Sequence, residues 1–340
     1  MDTSALSVPK LGGLDPLVLL RRAWGSNRPL TFVGVLMLVT LMGALVGLLV
    51  DPRAITGAPA WLKPAKFAVS ISIYNFTFLW LLTYVRGRRR IVKLVAGVTA
   101  VALAFEEAII CAQVVRGTTS HFNFGTPLDG ALFSTMGLLV VLVFAANLVV
   151  AILLLLQRLP DPAFAWALRL GIILSLVGMG VAFLMTVPTP AQLAAAETGE
   201  AMPIVGAHSV GVEDGGPGLP VVGWSTSGGD LRAAHFFGLH ALQVMPLLGF
   251  LIAGSRANWL GMRHRVALVW VVGLAYLGLV LLLAWQALRG QPVVSPDALT
   301  LGTLCVIIVA AGGVASAVVL RARRRAGSSK DARWKEERSL

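Results

Sequence analysis

The sequence predicts an all-α fold, a polytopic membrane bundle of about eight transmembrane helices with both termini cytoplasmic. Three observations carry that prediction. Hydrophobic residues make up 57% of the chain, charged residues only 13%, and the mean hydropathy is +0.82, outside the range of soluble globular proteins. Eight segments stay apolar for the roughly 20 residues that a helix needs to cross hydrocarbon. None of them shows the strict apolar–polar alternation of an outer-membrane barrel strand.

Taken in order, residues 1–28 form a cytoplasmic N-terminal segment. Asp15 and Pro16 make a helix start there, and Leu17, Leu20 and Trp24 share a side beside Arg21 and Arg22, as suits a short interfacial helix. The apolar piece Leu17–Leu20 is too short for a secretory signal, so this segment is expected to stay attached. The bundle occupies residues 29–320, with spans at Pro29–Val50, Phe67–Val85, Leu94–Val115, Ala131–Leu156, Leu168–Val187, Ala234–Ala253, Val266–Leu288 and Ala298–Leu320. Residues 321–340 form a basic cytoplasmic tail of Lys and Arg mixed with Gly, Ser and Asp, expected to be mobile and to touch anionic lipid headgroups.

Threading the chain through those spans puts 22 of the 28 Lys and Arg residues on one side, Lys10, Arg256 and Arg338 among them. The other side holds Arg53, Lys63, Lys66, Arg116, Arg232 and Arg289. The positive-inside rule then places both termini in the cytoplasm of a plasma (inner) membrane protein. The +12 net charge is therefore topological, and without aromatic interleaving or a recognisable fold it does not point to nucleic acid. One long connection, residues 188–232, falls outside and is expected to form a partly ordered lid. Cys111 and Cys305 each lie in a span, so neither a disulfide framework nor a Cys-based zinc site is indicated. Gln113-Val114-Val115-Arg116-Gly117 closes the third span and Gln286-Ala287-Leu288-Arg289-Gly290 the seventh, an echo that fits a parallel four-plus-four repeat.

The leading site candidate is the pair Glu106 and Glu107, carboxylates in the middle of an apolar stretch. An ionisable group there costs roughly 2.5–3.5 kcal/mol on insertion scales and needs a partner or a wet cavity. At about 1.5 Å of rise per residue the pair lies roughly 15 Å below the outer end of its helix. Tyr74, Asn75, Gln243 and Tyr276 lie at comparable depth, with His240 a turn shallower and His235 at the mouth. Helical phase puts Glu106 on the face of Gln113 and Glu107 on the face of Cys111, so the two need separate partners. Lys66, Arg116 or a histidine is expected to neutralise one, leaving the other to hold a proton; in a bland alternative, one Glu is protonated and hydrogen-bonded to Asn75 or a carbonyl.

Two functional readings follow. The first is a small-solute or proton/cation-linked transporter whose outward-facing site uses Glu106, Glu107, Asn75, Tyr74, Gln243 and His240. The second is a membrane redox protein holding haem or a metal ion through His121, His235 or His240, although His235 and His240, five apart, diverge on a regular helix. A third class is a non-catalytic scaffold. No P-loop or Gly-x-Ser-x-Gly elbow is present, so ATP-driven work and serine hydrolysis are not indicated. Ser225, Thr226 and Ser227 read as turn residues, and their closeness to His235 leaves an extracytoplasmic enzyme as a minor option.

Overall fold

The computed structural model describes residues 15–255, 257 and 259–337, with backbone alone for 328–337; Lys10, Arg256 and Arg338 of the charge count lie outside the described residues. The helices are α1 (Pro16–Ser26), α2 (Arg28–Val50), α3 (Leu62–Leu82), α4 (Arg89–Val115), α5 (Pro127–Leu156), α6 (Pro162–Met185), α7 (Pro190–Glu197), α8 (Leu231–Ala253), α9 (Met262–Leu288) and α10 (Ala298–Glu337). Two short hairpins, β1 (Ala54–Ile55) with β2 (Ala58–Pro59) and β3 (Ser209–Val210) with β4 (Gly229–Asp230), precede α3 and α8. Eight of the described helices are long and apolar enough to cross a membrane. The fold is an all-α bundle. Its lid face carries the long α6–α8 connection, and the opposite one is the basic face.

Helix boundaries follow capping chemistry more closely than hydropathy. Asp15, Asn27, Thr126, Asp161 and Asp230 each accept a hydrogen bond from a backbone N–H of the first turn they precede. Proline at the first or second position presets the helical φ in α1, α2, α5 and α6. Most helices therefore start three to six residues before the apolar spans read from sequence, and α3 opens at Leu62, drawing Lys63 and Lys66 into the helix. The basic tail is not left as coil: α10 continues as helix to Glu337, because Lys, Arg, Ala and Glu are good helix formers and no proline interrupts them.

The most extensive helix contact joins α6 to α8. Gly178 and Gly238 meet backbone to backbone there, and a Cβ added to Gly178 would lie 2.6 Å from the Gly238 Cα. Ala163, Ala167, Ala241 and Met245 continue the seam, and Gly249 sits against Ala167. Small residues let two helices approach closely enough for dispersion contacts and weak polar contacts to hold them where lipid offers no hydrophobic driving force. His235 fixes the register by donating from Nδ1 to the Gly178 carbonyl at 2.8 Å. On the other flank α2 packs on α3, with the Phe76 ring over Gly34, Trp61 over Gly47, and Ser72 Oγ donating to the Gly34 carbonyl at 3.1 Å.

The two halves of the bundle repeat one arrangement. Helix α2 packs on α3 and α4, and α4 on α5; α6 packs on α8 and α9, and α9 on α10. The closing Gln-x-x-Arg-Gly segments adopt the same cap, with Gly117 and Gly290 left-handed (φ +75° and +71°) and the N–H of Thr118 and Gln291 bonded to the Gln113 and Gln286 carbonyls. In both, the arginine pairs at 2.5 Å with an aspartate at the start of the following helix, Arg116 with Asp129 and Arg289 with Asp297. Leu62-Lys63-Pro64-Ala65-Lys66-Phe67 and Leu231-Arg232-Ala233-Ala234-His235-Phe236 open α3 and α8 with the same order of apolar, basic, small, small, basic-type and aromatic residues.

The glycine seam yields a test. Gly238→Ala is expected to lower stability by about 1–3 kcal/mol through forced separation of α6 and α8. Gly180→Ala, whose Cβ would meet nothing within 4 Å, is expected to be neutral or to stabilise by up to about 1 kcal/mol. Thermal unfolding of the two variants in detergent compares them directly, and equal midpoints would refute the close-contact account.

Candidate functional site

The lid is ordered by its own sequence. Thr189 and Gln192 form a capping box at the start of α7, and Gln192 reaches across to the backbone of Gly206 through both its amide oxygen and nitrogen. Two backbone bonds, Phe124 N–H to the Pro203 carbonyl and Val205 N–H to the Phe122 carbonyl, stitch the lid to the α4–α5 connection. From below, Lys66 Nζ donates to the Val222 carbonyl at 3.1 Å and Arg232 to the Gly223 carbonyl at 2.6 Å. Asp230, its side chain fully buried, pairs with Arg232 at 2.5 Å and receives the Ser225 N–H.

Beneath the lid lies a cluster of titratable groups. Asp214 accepts from His208 Nδ1 at 2.7 Å and from the backbone N–H groups of His208 and Ser209. The His208 ring stacks on the His121 ring with centroids 6.4 Å apart. His121 bonds Ser120 Oγ through Nδ1 at 3.0 Å and turns Nε2 towards Glu106, whose Oε1 lies 3.8 Å away, beyond hydrogen-bond length. Glu106 Oε2 is buried with no hydrogen-bond partner among the described residues. Lys63 stands within electrostatic reach of Glu106, Asp214 and both histidines, outside ion-pair distance of any of them. Phe67 and Phe122 wall the histidines, at 5.7 Å from His121 and 4.8 Å from His208. Phe122 keeps a left-handed backbone (φ +61°), which costs about 1–2 kcal/mol for a bulky residue and is held by the lid around it.

Burial, reinforced by the charge of Lys63 and by the neighbouring His208, pushes the His121 imidazole well below its ordinary value. His208 is also lowered by burial, which outweighs the opposing pull of Asp214. Burial works to raise Asp214, but its hydrogen bonds from His208 and Ser209 prevail and hold the carboxyl well below the usual carboxylate range. The His208–Asp214 contact is thus a neutral imidazole N–H donating to a carboxylate.

The residues singled out from sequence are only partly brought together. Glu106 and Glu107 do part company: Glu107 Oε1 accepts from Cys111 Sγ at 3.6 Å, and its Oε2 has no partner among the described residues. Of the three expected neutralising groups, Arg116 is engaged with Asp129 and Gln113, and Lys66 with the lid, so only a histidine, His121, approaches Glu106. Asn75 bonds neither carboxylate, and both atoms of its amide are buried without a partner among the described residues. Tyr74 accepts from Asn147 Nδ2 at 2.5 Å, Gln243 donates to Thr77 at 3.1 Å, and Tyr276 donates to the Phe237 carbonyl at 2.6 Å. His240 packs against the edge of Phe236, and His235 is spent on the α6–α8 seam. Stacked rings point their nitrogens edgeways, so His121 and His208 do not hold one haem iron between them. No group of three His, Cys, Asp or Glu suited to a metal ion occurs among the described residues.

Sequence reasoning misses Lys63, His208, Asp214 and Asn147. Asn147 carries a signal, as the lone amide inside the highly apolar α5. The His208–Asp214 pair carries none, because six residues of turn-rich chain fix no geometry until the lid closes on the α4–α5 connection. Comparison with known protein families, with curated proteins and with solved structures gives no match.

Both buried histidines bind protons in the unfolded chain near the ordinary value of 6.5 but resist them in the fold. Their contribution to stability is complete above that pH and is lost as pH falls towards the depressed folded values. Asp214, lowered in the fold, likewise contributes above the carboxylate range and loses its effect on further acidification. The unfolding midpoint is therefore expected to drop between pH of about 7 and about 5. Each histidine that is charged in the unfolded chain and neutral in the fold costs up to about 1.4 kcal/mol for every tenfold rise in proton concentration. Scans of the His121→Gln/His208→Gln double variant should show a flatter profile; an unchanged slope would remove the histidines from the account.

Proposed function

We propose that this chain is a multi-pass protein of the plasma membrane, with the lid outside and both termini in the cytoplasm, and that it carries protons coupled to the movement of a small solute. The orientation is supported by the segregation of Lys and Arg to the basic face. The observation that carries the function is the approach of His121 Nε2 to Glu106 Oε1 at 3.8 Å under the Asp214–His208 pair. It strings proton-exchanging groups from the lid to a carboxylate inside the bundle, and intramembrane acids in such settings serve as ion and proton sites.

Deeper in the bundle, buried polar atoms continue inward. Asn75, Thr99, Ser175, Asn147 Oδ1 and Gln243 Oε1 lack partners among the described residues, and Tyr74 joins Asn147. An unsatisfied buried polar group costs about 1–3 kcal/mol, so a run of them favours a reading in which the bundle has a second conformation or takes up a polar guest. In this reading Glu106 accepts a proton from the lid side through His121 and releases it to the basic face when the bundle rearranges. Glu107, bonded to Cys111, tunes the neighbourhood.

Proton movement into proteoliposomes, followed with an entrapped pH-sensitive dye under an imposed potassium-diffusion potential, tests this. Glu106→Gln is expected to reduce flux by about ten-fold or more, and Glu107→Gln by less. Wild-type protein without flux above empty liposomes, or undiminished flux in both single variants and the double, would overturn the proposal.

A further inference from the structure

Three cations gather under the lid, and two of them are held by a partner. Arg232 has Asp230, and Lys66 has the Val222 carbonyl. Lys63 makes no ion pair among the described residues, and its ammonium is not among the buried atoms left without a partner. The repeat makes the contrast sharper. Lys63 occupies the place in α3 that Arg232 occupies in α8, but two residues before it stands Trp61 where α8 has Asp230, and Trp61 is turned away to donate to Asp51 at 2.8 Å. Facing Lys63 is Glu106, with one buried carboxylate oxygen unpartnered and the other outside hydrogen-bond length of His121. A carboxylate with a buried, unpartnered oxygen thus lies within electrostatic reach of a cation with which it makes no ion pair.

Lys63 of α3 and His121 of the α4–α5 connection act on Glu106, while Lys66, Arg232 and Asp214 lie within electrostatic reach of Lys63; Phe67, one turn beyond Lys63 on α3, meets the His121 ring at 5.7 Å. Glu107, the chain neighbour of Glu106, bonds Cys111. Asp230 is paired with Arg232, and Asp214 has its oxygens filled by His208 and Ser209, so Glu106 is the carboxylate near Lys63 that keeps an oxygen without a partner among the described residues. We propose that this site binds a small organic monocarboxylate, which replaces the Glu106 carboxylate as the counter-ion of Lys63 while Glu106 takes up one proton from the lid-side solution. The proposal rests on the proton-linked reading above and names its substrate class. Charge balances, since one anion and one proton enter together. The incoming carboxylate meets three donors: the Lys63 ammonium, the His121 Nε2–H and the O–H of protonated Glu106. Phe67 and Phe122 offer apolar walls to its organic part, which chloride would leave unfilled.

Isothermal titration of the detergent-purified, full-length protein with acetate, butyrate, benzoate, benzamide and chloride, in two buffers of different ionisation enthalpy near neutral pH, reads binding and proton uptake together. At least one of the three carboxylates is expected to bind with uptake of close to one proton per chain, while benzamide and chloride give no saturable heat. Lys63→Gln should weaken that carboxylate about ten-fold or more, Lys63→Arg should restore most of the affinity, and Glu106→Gln should bind without taking up a proton. No carboxylate binding by the wild type, equal binding of benzamide, or carboxylate binding without proton uptake would each overturn the proposal, and none of these depends on a variant folding. Wild-type proton flux without carboxylate binding would overturn this site and spare the transport reading. Proton-coupled carboxylate binding without transmembrane flux would do the reverse.

Discussion

The close crossing of α6 and α8 is the constraint on which the rest depends. Because Gly178 and Gly238 bring the two backbones into contact, and His235 pins the register to the Gly178 carbonyl, the head of α8 has one available position. That position sets Asp230 and Arg232, which hold the Gly223 turn of the lid. The lid in turn carries His208 onto His121. A van der Waals contact between two residues without side chains thus reaches the titratable cluster through the head of α8, its hydrogen bonds to the lid and the ring contact beneath it.

The cluster itself is built against its own electrostatic comfort. Burying an ammonium and a carboxylate costs least when they touch and their remaining valences are filled. Lys63 and Glu106 do not touch, although the chain elsewhere makes such pairs with ease: Arg116 with Asp129, Arg232 with Asp230, Arg289 with Asp297. Those three pairs also cap or anchor helices, so their geometry is tied to the scaffold. The departure from that habit at Lys63 and Glu106 leaves a carboxylate oxygen buried without a partner among the described residues.

Much of this is legible in the sequence, for reasons that can be named. Eight helices follow from hydropathy, since the length of an apolar run is dictated by hydrocarbon thickness. The divergence of Glu106 and Glu107 follows from helical phase, and the Gln-x-x-Arg-Gly echo shares its cap and its ion pair between the two halves. Helix starts are misplaced by hydropathy because capping residues such as Thr126 and Asp161 are polar and drop out of an apolar window. The partners of the carboxylate are harder. Depth along a helix is a one-dimensional coordinate; it puts Asn75, Gln243 and Tyr276 level with Glu106 without fixing which way each helix turns. Lys63 falls outside its span on hydropathy alone because a lysine ends an apolar window, and His208 and Asp214 are placed only by the tertiary closure of the lid.

The repeated architecture has a consequence for stoichiometry. The two halves share the Gln-x-x-Arg-Gly cap and its ion pair, so a site built into the shared pattern would occur in both. Counting seven residues back from Gln113 gives Glu106, while seven back from Gln286 gives Leu279, so the acidic position of one half is apolar in the other. If Glu106 is the proton site, that site therefore occurs once per chain and not once per half.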